Sequence, residues 1–131
     1  MAFPRCVYVI EDDEMVARSL SILLQTHHYQ ALIFDSADEF LSQVHALPEG
    51  SILMDYDLPG RDGIEALKEL RERGYAWPVI MMTGYQEEAI AAEALQLGAR
   101  SIVEKPFSLG SLLSELKRLE QEIMDENLAV P

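Results

Sequence analysis

The chain has 131 residues, with 10 Lys and Arg against 23 Asp and Glu, for a formal net charge of −13. One domain is the default at this length, and 49% apolar with 25% charged residues is the composition of a chain that folds. Such an acidic excess argues against direct binding of nucleic acid or of an anionic membrane surface, since both need clustered Lys and Arg.

Cys6 is the only cysteine, which excludes an internal disulfide and a cysteine-based zinc centre. Residues 1–5 carry no cationic start to an apolar signal core. No apolar run approaches the roughly 18–20 residues of a membrane span. The expectation is a cytoplasmic domain.

Short apolar runs alternate with amphipathic segments along the chain. Val7-Tyr8-Val9-Ile10 is apolar throughout and stops at acids, as a strand buried on both faces does. Met15, Val16, Ser19, Leu20, Leu23 and Leu24 then form one stripe of a helix. Ala31 to Phe34 is a second strand. Ser36-Ala-Asp-Glu39 has capping-box spacing and opens a helix burying Phe40, Leu41 and Val44. Ser51-Ile-Leu-Met54 is a third strand, ending at Asp55, and Leu58-Pro-Gly-Arg-Asp-Gly63 is a loop by its turn chemistry. Ile64, Leu67 and Leu70 mark a third helix, closed by Gly74. Pro78 to Met82 is a fourth strand, ending at Thr83-Gly84. Glu87 to Leu97 is a fourth helix, stopped by Gly98. Ser101-Ile-Val103 is a fifth strand, ending at Glu104-Lys-Pro106. Ser108 caps a last helix with Leu109, Leu112, Leu113, Leu116 and Leu119 inward.

Five strand–helix units with no long linker define an α/β domain, a doubly wound parallel sheet with helices on both faces. Ligand sites in such sheets lie beyond the carboxyl ends of the strands. Glu11-Asp12-Asp13, Asp55, Thr83 and Lys105 all stand there. Carboxylates that converge on one edge repel unless a cation neutralises them. Oxygen-only donors favour a hard cation such as Mg2+. A carboxylate beside such an ion can attack a phosphoryl group, with Thr83 and Lys105 at hand for its oxygens.

These pieces resemble the receiver domain of bacterial two-component response regulators. The resemblance rests on Val9-Ile-Glu-Asp-Asp13, Asp55-Tyr-Asp-Leu-Pro-Gly-Arg-Asp-Gly63, Met82-Thr-Gly84 and Glu104-Lys-Pro-Phe107. It spans residues 6 to about 120. It implies a flavodoxin-like five-stranded sheet in the order 2-1-3-4-5, with a receiver at 1–120 and a helix extension or start of a linker at 121–131. Asp55 matches the phosphoacceptor, and Lys105 the lysine that pairs with it. Thr83 matches the hydroxyl residue that closes on the phosphoryl group. Glu11 and Asp12 match the acidic pair that binds Mg2+, or Mn2+ in its place. Asp57 matches the position whose backbone carbonyl is a metal ligand. The register Asp12/Asp13 stays open beside Glu11/Asp12. The latter is preferred because the strand ends at Ile10 and 43 positions separate Asp12 from Asp55. Lys105-Pro106 matches a family position where the peptide is cis.

Ile102 departs from the family pattern, which often has Tyr or Phe three residues before the lysine. Asp57 and Tyr85 occupy positions that tune phosphoryl lifetime in the family. The resemblance implies a signalling phosphoacceptor with only self-directed phosphotransfer and autodephosphorylation. Its phosphodonor would be a sensor histidine kinase or histidine phosphotransfer protein. Its output would be a downstream protein or domain, addressed through the fourth helix, fifth strand and fifth helix. A phosphorylation-dependent homodimer is left open. Two alternatives stand beside this reading: a haloacid-dehalogenase-type phosphatase using Asp55-Tyr-Asp57, and a pseudo-receiver that only binds protein. His27, His28 and His45 read as helix C-terminal cations or surface residues, Met54, Met81 and Met82 as core, and Cys6 as a buried thiol.

Overall fold

Val7 to Ile10 are apolar at every position because both faces of their strand are covered. In the computed structural model, which describes residues 6–84 and 86–129, they form β1 (Cys6–Ile10), the second strand of a five-stranded sheet. The chain continues through α1 (Glu14–Thr26), β2 (Gln30–Phe34), α2 (Ala37–Gln43) with a 3-10 turn at Val44–Ala46, and β3 (Ser51–Asp55). It completes α3 (Gly63–Glu72), β4 (Val79–Thr83), α4 (Glu88–Gln96), β5 (Ser101–Glu104) and α5 (Leu109–Ala129). Every pairing is parallel and the order is β2-β1-β3-β4-β5, as expected.

Strand alternation divides the interior in two. Tyr8, Ile10, Ile52, Met54, Val79 and Met81 pack against Phe40, Leu41, Ile64, Leu67, Leu70 and Ala94 of α2, α3 and α4. Val7, Val9, Leu53, Ile80 and Met82 pack on the other face against Leu20 and Leu24 of α1 and Leu112, Leu116 and Leu119 of α5. Pairing Ile10 with Met54, Asp55 with Met82 and Thr83 with Glu104 levels the strand ends along one edge. That levelling places the site.

Helix ends follow local chemistry. Asp62 and Glu65 form a reciprocal capping box on α3, with Glu65 N–H donating to Asp62 Oδ1 at 2.8 Å and Asp62 N–H to Glu65 Oε1 at 3.1 Å. Asp62→Ala is expected to cost about 1 kcal/mol, read as a lower urea midpoint. Ser36 caps α2 by accepting from Glu39 N–H at 3.1 Å. Ser108 accepts from Ser111 N–H at 3.0 Å at the start of α5. The half-buried Arg71 donates to the carbonyls of Tyr75, Trp77 and Gly98 at 2.8, 3.1 and 3.0 Å, tying the end of α3 to the chain entering β4 and leaving α4. No described helix is long and apolar enough to cross a membrane.

Three expectations about side-chain placement fail. α1 buries Ala17, Leu20, Ser21 and Leu24, while Met15 is 81% exposed. Small residues at 17 and 21 let the helix lie close on the sheet, which turns Met15 and Ser19 outward. Leu109 is likewise exposed. Met15, Ser19 and Leu109 instead line an open cavity of about 600 Å³ beside Lys105, together with Val16 and Phe107, which also pack against the core. Cys6 is only half-buried, its Sγ 3.6 Å from Gln30 Oε1, because β1 enters the sheet at an open end.

Candidate functional site

The three acids after β1 have three different fates. Glu11 N–H donates to Phe34 O at 3.0 Å, which prolongs the β1–β2 pairing and draws Glu11 inward until 1% of it is exposed. Asp13 caps α1, its Oδ1 accepting from Met15 N–H at 3.0 Å and Val16 N–H at 3.2 Å. Asp12 lies between them, exposed. Carboxylate oxygens of Glu11, Asp12 and Asp55 come within 4.8 Å of one another. Asp13 is outside that group, so of the two registers the geometry brings Glu11/Asp12 to Asp55.

Asp55 ends β3 and is 3% exposed. Its Oδ1 accepts from Asp57 N–H at 3.3 Å, and its Oδ2 accepts from Lys105 Nζ at 3.0 Å. The same ammonium reaches Glu11 Oε1 at 3.2 Å. One lysine after β5 thus bridges carboxylates from β1 and β3. The Lys105–Pro106 peptide is cis. Thr83 is buried at the end of β4, and its carbonyl accepts from Lys105 N–H at 2.7 Å, fastening the β5 exit to the β4 exit. Asp57 is exposed at the mouth. Ile102 is half-buried and packs against the core under α3 and α4. Tyr85, singled out as a tuner of phosphoryl lifetime, lies outside the described residues.

The electrostatics follow from burial. Loss of water and then the adjacent Asp55 carboxylate push the Glu11 carboxyl up to about 7, against the opposing pull of Asp13 N–H and Lys105. Burial by itself lowers the Lys105 ammonium, but hydrogen bonds and charge from Asp55 and Glu11 outweigh it and raise the group. Three carboxylates against one ammonium leave the cluster net negative. An all-oxygen donor set of that charge suits a hard divalent cation.

The chain belongs to the response regulator receiver domains, whose family model matches residues 7–117. Among its relatives, the transcriptional regulatory protein FixJ of Bradyrhizobium diazoefficiens is 39% identical over 101 residues, covering 77% of this chain and 49% of that protein. The response regulator protein TodT of Pseudomonas putida is 29% identical over 120 residues, 88% of this chain and 53% of its own length. The chain therefore spans about half the length of these curated relatives. Full-length FixJ from B. japonicum superposes with a TM-score of 0.81 at 35% identity, over 91% of this chain and 57% of that one. A CheY-like receiver from Methanospirillum hungatei does so with a TM-score of 0.86 at 25% identity, over 95% and 99% of the two chains. Receiver domains of this family are signalling modules of two-component systems, and the resemblance read from the motifs holds.

Three acids before a helix also read in the sequence as a cap for it, and the structure divides the roles, giving the cap to Asp13 alone and the buried cluster to Glu11.

Proposed function

We propose that this domain accepts a phosphoryl group on Asp55 from a phosphohistidine of a sensor kinase or phosphotransfer protein, and that its altered surface then controls a downstream protein or domain. The observation that carries this reading is the Lys105 ammonium, held between two buried carboxylates from different strands at the ligand-bearing edge of the sheet. An Asp55 carboxylate oxygen attacks phosphorus, the new O–P bond forms, the N–P bond breaks, and the imidazole leaves. Lys105 stays paired with the substituted carboxylate. The Thr83 hydroxyl donates a hydrogen bond to a phosphoryl oxygen, drawing the β4 exit inward.

Glu11, Asp12 and Asp55 would hold Mg2+, or Mn2+, together with the Asp57 backbone carbonyl. When bound, the ion neutralises charge on the phosphoryl oxygens. The loops after β4 and β5 move with Thr83 and Lys105, so α4, β5 and α5 form the responsive face. The domain turns over no separate metabolite; it transfers a phosphoryl group to itself and hydrolyses it.

The test is intact-protein mass after incubation with acetyl phosphate or phosphoramidate, with and without Mg2+. Wild type is expected to gain one base-labile phosphate only with Mg2+, and Asp55→Asn none. An undiminished gain in Asp55→Asn would overturn the assignment. Steady release of phosphate from unrelated phosphomonoesters would replace it with a phosphatase.

A further inference from the structure

Gly84 follows Thr83 at the mouth of the site. A Cβ built on it would collide with Glu87 Oε1, and the next nearest atoms, at 3.1 and 3.6 Å, also belong to Glu87. The Glu87 side chain therefore fills the notch left by the missing side chain of Gly84. Glu87 stands at the N-cap of α4, yet its side chain makes no capping hydrogen bond there. It turns back over the β4 exit instead. A carboxylate near a helix N-terminus is favourable on electrostatic grounds, but this one is half-buried against the strand end. Glu87 acts with Asp62, Asp57 and Glu93 on one group, the Tyr56 phenol beside Asp55, which burial and then these charges raise.

We propose that Glu87 is a positioning residue that opposes the arrival of an anion at Asp55: its carboxylate plugs the notch over Gly84, and leaves when Thr83 closes on the phosphoryl group. The proposal rests on the reading of Asp55 as phosphoacceptor. Two like charges at one mouth repel, so occupancy of the notch by Glu87 and occupancy of Asp55 by a dianion are thermodynamically linked. Expulsion of Glu87 releases the first turn of α4, which ties the chemistry to the responsive face. The backbone at Gly84 is not in the left-handed region, and among the described residues the nearest atoms beyond its chain neighbours belong to one flexible side chain, that of Glu87. Alanine at 84 is therefore tolerated once Glu87 moves aside.

The experiment titrates beryllofluoride, a phosphoryl mimic, in the presence of Mg2+ and reads affinity by calorimetry. It compares wild type, Glu87→Gln, Glu87→Ala, Gly84→Ala and the Gly84→Ala/Glu87→Ala pair. Each single variant is expected to bind about five-fold or more tightly than wild type, at the low end of usual coupling strengths. The double variant is expected to bind no tighter than Glu87→Ala, because both changes remove the same plug. Thermal midpoints should separate the variants from wild type only when beryllofluoride is present, which a merely structural role would not produce. Unchanged affinity in Glu87→Gln overturns the electrostatic argument. Additive effects of the two substitutions overturn the shared notch. If wild type binds no beryllofluoride and gains no phosphate mass, the phosphoacceptor reading fails as well. If wild type binds but the variants match it, only the role of Glu87 fails.

Discussion

Lys105→Met is expected to slow phosphoryl uptake by roughly 10²–10³-fold, the usual consequence of removing one charge-stabilising donor from a reacting centre. It is also expected to destabilise the domain in metal-free buffer by about 2–3 kcal/mol, below the value for a fully buried pair because water reaches part of the lysine. The cause is specific. Without Nζ, the buried Glu11 and Asp55 carboxylates face each other with no cation between them. Lys105→Arg keeps the charge but brings a planar fork where a point charge sits between two oxygens, so it restores stability better than uptake. The measurements are urea midpoints with and without Mg2+ and the rate of mass gain with acetyl phosphate. Added Mg2+ should recover much of the lost stability of Lys105→Met. A midpoint that does not respond to Mg2+ would remove these carboxylates as its ligands.

Gly63→Ala tests the same edge from beneath. Gly63 opens α3, and a Cβ there would lie 2.8 Å from Asp55 O, 2.8 Å from Tyr56 Cα and 2.8 Å from Met81 Sδ. Two of those atoms are backbone of the acceptor segment, and Gly63 N–H also donates to Tyr56 O at 2.8 Å. Neither partner can swing aside as a side chain does. The expected cost is about 1–3 kcal/mol, typical of overpacking. Because relief requires moving the Asp55–Tyr56 backbone, uptake should fall along with stability. By contrast Gly74→Ala, where no described residue other than its chain neighbours comes within 4 Å of the new Cβ, meets only the penalty of its positive φ of 89°. It should leave uptake unchanged. Equal effects at both glycines would contradict the contact argument.

Much of the fold was legible because a parallel sheet covered on both faces writes itself as short, continuous apolar runs. Ile52, Leu53 and Met54 are each fully buried, although they alternate between the two cores. The site was legible for a related reason. Parallel strands bring their carboxyl ends to one edge whatever lies between them, so Glu11, Asp55, Thr83 and Lys105 could be placed together from their positions after each run. Periodicity was right at α1 for Leu20 and Leu24 but not for Met15 and Ser19, whose places against the sheet go to Ala17 and Ser21. An apolar stripe shows which residues prefer burial, not how closely two elements approach. Glu11, Asp12 and Asp13 are chemically alike in the sequence, and only backbone direction separates a buried carboxylate from a cap. The contact of Glu87 with Gly84 had no one-dimensional signature, because it depends on the loop turning back on itself through Gln86, a non-glycine residue at φ 61°.

The sparse anchorage of α4 has a consequence for how the molecule breathes. Ala94 is its one buried residue, with Ile90 and Leu97 only partly covered, whereas α3 buries Gly63, Ile64, Ala66, Leu67 and Leu70. Little apolar surface is exposed when α4 lifts away, so its amides open to solvent at a free energy well below that of unfolding the sheet. Its exit is fastened by Arg71 to Gly98 O, so the excursion is a hinge at one end rather than a detachment. The domain thus contains one cooperative unit that can rearrange while the strands bearing the acids stay folded.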